Sequence, residues 1–321
     1  MYIDDVLPRD AIPSIDDPLF DTSYFGDDTD EIIVVETTPP RAYPVRILSA
    51  HEIVNDEISN HGQVDEEIAT ERPSDSSLPI AVTWCPICAS AVVYNRRLDD
   101  QVLTFGTSGK LADDALVMYD RETGSEWKQP LGQAISGPLT DRELGVISSP
   151  MMTWTEFRSA YPDGVVLQPV RPNPETAYDT SRYAQYDASD EFGLRAMRGE
   201  GRERSWTRTD IAAKTPVIGI IHDGDAVGYP YPEVSSAGGL ISDTVGGRSI
   251  LVVSDDGALY AYENPGYEFE IRNGDLYGDG VSWNRTTGES SDGRQLNRVP
   301  SRYLYAFAWQ DDHGPESFYG L

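Results

Sequence analysis

Ile80-Ala81-Val82-Thr83-Trp84-Cys85-Pro86-Ile87-Cys88-Ala89-Ser90-Ala91-Val92-Val93-Tyr94 holds both cysteines of the chain, two residues apart. Ile80–Trp84 on one side and Ala89–Tyr94 on the other are rich in β-branched and aromatic residues, the signature of strands rather than of a helix. Pro86 after the first cysteine suits a tight turn between them. The stretch therefore reads as strand, turn, strand, and it anchors a mainly β reading of the chain.

Outward from this stretch the β pattern continues. Val92–Arg97 and Val102–Phe105 flank Leu98-Asp99-Asp100, and Ala115–Asp120 and Ser125–Gln129 flank Arg121-Glu122-Thr123-Gly124, two hairpin signals. Upstream, Ile32–Glu36 reads as a short strand and Pro39-Pro40 as a turn. Ile47–Ile53 fits a short helix or an edge strand carrying His51 and Glu52. Residues 58–76 are polar and acidic, a surface loop. Thr153-Trp154-Thr155-Glu156 fits a capping box, in which the threonine hydroxyl serves an orphan backbone donor while the glutamate reaches back; the helix it starts ends before Pro162.

The second half echoes the first. Ile33–Pro44 and Ile218–Pro230 each run from an apolar strand through a turn to Tyr-Pro, and Ala81–Val93 has a counterpart in Ile250–Tyr262. Trp127 precedes Gly132 as Trp283 precedes Gly288, and Trp154 and Trp309 follow in the same order. These correspondences predict an internally duplicated β-rich unit, α+β with few short helices, whose two related halves pack face to face. The expected organisation is an extended arm over 1–30, a first unit over 31–169, a linker over 170–213 that lacks periodicity, and a second unit over 214–321. The second unit has Val253-Ser254-Asp255-Asp256-Gly257 where the first has the cysteines.

Composition limits the partners. Acidic residues number 54 against 25 basic, a formal charge of −29, and lysine occurs only at Lys110, Lys128 and Lys214. Such a surface repels nucleic acid and anionic membranes. High salt screens self-repulsion of this kind, so the chain reads as that of an extreme halophile. No apolar run reaches membrane-spanning length, and Met1-Tyr2-Ile3-Asp4-Asp5-Val6 lacks a basic and apolar leader, so the expected location is cytoplasmic. A protein partner is left open and unspecified.

The cysteine pair has three readings. Two thiolates at this spacing can chelate one ion (zinc, copper or iron), with His51 beside Glu52 as the best source of a further ligand and Met118 suited to a soft ion. A redox pair, with Cys85 attacking, needs a low-pKa thiolate, usually at a helix N-terminus that this pattern does not supply. The third reading is structural: two small core residues or a disulfide. The metal reading leads, with metal ligands Cys85, Cys88 and His51; a thiol oxidoreductase and a metal-free ligand-binding or scaffold module are the alternatives. His61 belongs to the polar loop, and His222 and His313 have no partner motif. The tryptophans read as core anchors repeated with the core. No phosphate loop, nucleophile elbow or His-Glu-x-x-His motif occurs, and acids are too numerous for a catalytic pair to be singled out.

Ile15-Asp16-Asp17-Pro18, Arg41-Ala42-Tyr43-Pro44, His51-Glu52-Ile53-Val54-Asn55-Asp56, Val82-Thr83-Trp84-Cys85-Pro86-Ile87-Cys88 and Met118-Tyr119-Asp120-Arg121-Glu122-Thr123-Gly124-Ser125-Glu126-Trp127 together resemble the family catalogued as domain of unknown function 3179. The similarity runs from about residue 8 to the C-terminus and departs at 58–76, where a tight turn like Val245-Gly246-Gly247 is expected. The resemblance implies a shared fold and no established activity.

Overall fold

Every residue of the strand Leu78–Cys85 is buried, and its side chains alternate between two cores. In the computed structural model Ala81 and Cys85 face one core with Val92 and Tyr94, while Ile80, Val82 and Trp84 face another with Ala91 and Val93. A sheet covered on both faces explains the continuous apolar run, because neither side of the period-2 pattern has to be polar. Each fully buried Val or Ile here contributes roughly 1.5–3 kcal/mol relative to an exposed one. The structure describes residues 1–59, 77–170, 178 and 181–321, and of Ser181 and Arg182 only the backbone. His61 and most of the polar loop lie outside the described residues.

The chain is mainly β, with short helices. Leu78–Cys85 pairs antiparallel with Ile53–Ile58 on one side and Ser90–Asn95 on the other. Ser90–Asn95 leads on to Ser301–Tyr305, Pro216–His222 and Asp225–Pro230, so a single sheet crosses from the first half to the second at the pair Tyr303 and Ala91. The halves thus meet edge to edge as well as through faces. The face contact is a third core, where Ile32, Val34 and Trp154 pack with Leu251, Tyr260, Tyr262 and Trp283. Beside it Arg298, 4% exposed in its side chain, holds Glu36 through two bonds of 2.7 and 2.9 Å.

Several local expectations appear as physical contacts. Ile47–Ile53 divides into the helix Val45–His51 and the strand Ile53–Ile58, with Glu52 between them in the left-handed region at φ 60°. The capping box forms: the Glu156 backbone N–H donates to the Thr153 hydroxyl, and the Glu156 carboxylate accepts from the Thr153 backbone N–H. The helix it starts is Trp154–Ala160. Residues 170–213, aperiodic in sequence, carry the helices Ser181–Asp187 and Gly193–Arg198. Tyr186, Leu194 and Ile211 from this segment enter the core that contains the cysteines.

The N-terminal arm is bound to the body. Ile3–Asp5 pairs with the end of the strand Phe105–Ala112, and the Val6 and Leu7 N–H groups both donate to the Gly109 carbonyl, at 3.0 and 2.9 Å. Phe105–Ala112 bulges between Thr107 and Lys110. Gly109 has φ +79°, and a Cβ there would lie 2.0 Å from the Leu7 carbonyl oxygen, so only glycine lets the arm approach this closely.

Candidate functional site

The cysteine turn is a four-residue connection, Pro86 to Ala89, closed by the pair Cys85 and Ser90. Ala89 takes φ 48°, which completes the reversal. Two contacts hold the turn from outside: the Tyr186 hydroxyl donates to the Ile87 carbonyl at 2.6 Å, and the Tyr305 N–H donates to the Cys88 carbonyl at 2.8 Å. Both cysteines are free and buried.

The two thiols are electrostatically unequal. Burial alone pushes the Cys85 thiol up, but hydrogen bonds from the Cys88 thiol and from the backbone N–H groups of Cys88, Leu116 and Ile87 outweigh it and hold Cys85 below the ordinary thiol range. Burial and the donated bond to Cys85 push Cys88 well above that range. The surroundings therefore favour loss of a proton from Cys85 over loss from Cys88. Backbone donors do here what a helix N-terminus does in other reactive-cysteine sites.

Glu52 completes the site. Its carbonyl accepts the Trp84 N–H at 2.8 Å, which places it beside the end of the cysteine strand. Its carboxyl lines a small cavity of about 50 Å³ together with Cys85, Thr107, Leu116 and Arg198. Val6, Leu7, Pro8 and Ile12 of the arm cover that cavity. Burial, reinforced by the Cys85 sulfur and eased by Arg198, pushes the Glu52 carboxyl up to about 8. Glu52 makes no side-chain hydrogen bond to any described residue. A buried, unpartnered acid on a left-handed backbone is a costly arrangement, of the kind that collects at functional sites.

Cys85, Cys88 and His51, the ligand set expected from the sequence, do not form a three-ligand group among the described residues, and the His51 ring is engaged elsewhere. The His51 Nδ1 donates to the Pro13 carbonyl at 2.7 Å, which leaves Nε2 to accept from the Tyr178 hydroxyl at 3.1 Å. A carbonyl can only accept, so this tautomer is forced, and burial lowers the ring's proton affinity further. Both nitrogens are in use on the Trp84 side of the sheet. Among the described residues no three His, Cys, Asp or Glu side chains come together as a metal site. Met118 is fully buried in the core on the cysteine side.

A second, larger cleft of about 680 Å³ lies between the halves. Pro86 and Tyr183 line both cavities and separate them. Glu31, Asp187, Trp84 and Tyr305 are among the cleft's walls. The tryptophans expected as core anchors are buried: Trp127 and Trp309 fully, Trp154 and Trp283 nearly so. Among the described residues no helix is long and apolar enough to cross a membrane.

Cys85 and Cys88 stand out in the sequence, whereas the residue that shares a cavity with Cys85 is Glu52 and not His51. Glu52 was visible only as the residue after His51, and Arg198 lay in a stretch without periodicity. Nothing among curated proteins and nothing among solved structures matches the chain. A family model described as a protein of unknown function, DUF3179, matches residues 9–317, and the chain belongs to that family.

Proposed function

We propose that the protein is a thiol redox protein in which Cys85 and Cys88 cycle between a thiolate–thiol pair and a disulfide. The observation that carries this reading is geometric: two free cysteines stand at one four-residue turn, and Cys85 lines a cavity together with the buried Glu52. The opposed directions in which their surroundings push the two thiols, Cys85 down and Cys88 up, agree with it. Cys85 is the attacking thiolate and Cys88 the resolving thiol. Closing the disulfide passes two electrons and the Cys88 proton to an oxidant. A resolving thiol already bonded to the thiolate shortens the life of any oxidised intermediate at Cys85.

The test is a redox titration of the purified protein in dithiothreitol buffers, read by alkylation and mass spectrometry. The expected result is a single two-electron transition between a doubly alkylated and an unalkylated form, lost in Cys85→Ser and in Cys88→Ser. Thiols that stay alkylatable across the whole range of buffers would leave the pair structural.

A second reading, a metal-free ligand-binding module, is favoured by the 680 Å³ cleft, which is of the size that small-molecule sites occupy. Saturable quenching of tryptophan fluorescence by a bound small molecule, lost on Trp84→Phe, is its test. Internal duplication is supported by element order. A hairpin and short helix (Glu31–Val35, Arg41–Pro44, Val45–His51) lead into three strands in the first half, as Pro216–His222, Asp225–Pro230 and Tyr231–Ser236 do in the second. An experimental structure whose halves do not superpose element for element contradicts it. The charge of −29 supports a high-salt protein, expected to melt at higher temperature as potassium chloride is added.

A further inference from the structure

We infer that the oxidant of the Cys85–Cys88 pair is a small hydroperoxide, reduced in the cavity between Cys85, Glu52 and Arg198; the inference rests on the redox reading above. Three observations lead to it. The first is size. Cys85 is 1% exposed, and the cavity beside it holds about 50 Å³, space for a molecule of a few heavy atoms and not for a protein disulfide. The arm residues Leu7 and Pro8 are among its walls.

The second observation is the chemistry of the walls. Reduction of a hydroperoxide needs a thiolate to attack, a proton for the departing oxygen and positive charge to steady the anionic transition state. Cys85 lines the cavity as the attacking sulfur, and bonds from the Cys88 thiol and from backbone N–H groups favour its thiolate form against the cost of burial. Glu52 shares the cavity as a carboxylic acid without a hydrogen-bond partner among the described residues, so its proton is uncommitted. Arg198 lines the same cavity from the helix Gly193–Arg198, and its charge reaches Glu52. A disulfide substrate, by contrast, gains little from an acid and a guanidinium at this spot, because its leaving group is a stable thiolate.

The third observation is the resolving partner. In the first step the Cys85 sulfur attacks one peroxide oxygen, an S–O bond forms and the O–O bond breaks. The departing hydroxide takes the Glu52 proton and leaves as water. Sulfur is oxidised by two electrons to the sulfenic acid, and Glu52 is left as carboxylate. In the second step the Cys88 sulfur attacks Cys85, an S–S bond forms and the S–O bond breaks, and the Cys88 proton leaves with the hydroxide as a second water. An external thiol restores the pair, two thiols being oxidised to their disulfide for each turn. The bond from the Cys88 thiol to Cys85 means the second step needs no rearrangement of the chain.

The experiment is stopped-flow oxidation of the full chain by hydrogen peroxide, by cumene hydroperoxide and by diamide, with disulfide formation read by mass spectrometry. The expected result is that hydrogen peroxide oxidises the pair at least tenfold faster than it oxidises free cysteine. The bulkier cumene hydroperoxide should be slower by a similar factor. Glu52→Gln should slow the peroxide reaction by about 10²-fold, the usual loss of a general acid, while leaving diamide oxidation within a few-fold of the parent. If Glu52→Gln does not fold, Arg198→Gln, at the exposed C-terminal end of its helix, takes its place, with a several-fold slowing expected. Peroxide no faster than with free cysteine, beside normal diamide oxidation, overturns this inference and leaves the redox reading standing. A pair that no oxidant closes removes both.

Discussion

Glu52 and Cys85 line one cavity and repel each other across it, while His51, the preceding residue, turns both ring nitrogens toward Pro13 and Tyr178. The left-handed backbone at Glu52 makes this possible, since it ends the helix Val45–His51 and starts the strand Ile53–Ile58 in a single residue. The two neighbours therefore have separate duties, and the first prediction separates them. His51→Gln should lower stability by about 1–3 kcal/mol, through the lost bonds to Pro13 and Tyr178, and leave the alkylation profile of Cys85 unmoved. A shifted thiol profile, or a metal held stoichiometrically by the parent and lost in His51→Gln, would restore His51 to the site.

The raised Glu52 carboxyl has a consequence for stability. Its value is about 8 in the folded chain against 4.5 ordinarily, so between those values the folded state binds the proton that the unfolded state has lost. Stability from this group is fully present below pH 4.5 and is lost as pH rises to about 8, by a sum on the order of 4 kcal/mol. Glu52→Gln should flatten that part of the curve of stability against pH. An unchanged slope between pH 5 and 8 in the variant would place the ionisation elsewhere.

Gly109→Ala should loosen the arm over the cavity. The new Cβ meets the Leu7 carbonyl at 2.0 Å, and the backbone at φ +79° resists a side chain in any case. The expected outcome is a stability loss of about 1–3 kcal/mol and faster alkylation of Cys85 by iodoacetamide. Alkylation at the parent rate would mean that the arm does not limit access.

Arg298 and Glu36 join the halves through a buried pair. Burial pushes the Glu36 carboxyl up, but Arg298 and the Tyr161 hydroxyl outweigh it and hold it below the usual range. Arg298→Met leaves that carboxylate buried and unpaired, and should cost about 3–5 kcal/mol in denaturant unfolding. The double variant Glu36→Gln/Arg298→Met should recover part of the loss. Equal losses in the single and double variants would show that the pair is not coupled.

The legible part of the fold was local. The cysteine turn was readable because its two strands and its proline are adjacent in sequence, and the capping box because Thr153 and Glu156 are three residues apart. The cores on the two faces of Leu78–Cys85 follow from the same apolar run. The partner of Cys85 was not readable, because one left-handed residue decides whether His51 or Glu52 faces the sulfur. Nor was the part played by residues 170–213. Their short helices bury single anchors such as Tyr186 and Leu194, and too few apolar residues recur to make a period.

The inequality of the two thiols is tested most directly by the pH dependence of alkylation at each cysteine, resolved by mass spectrometry in the parent and in Cys88→Ser. The predicted result is a Cys85 midpoint below that of an ordinary thiol, a Cys88 midpoint well above it, and a shift in Cys85 when the sulfur of Cys88 is replaced. Two thiols titrating together at an ordinary value, unmoved by Cys88→Ser, would contradict it.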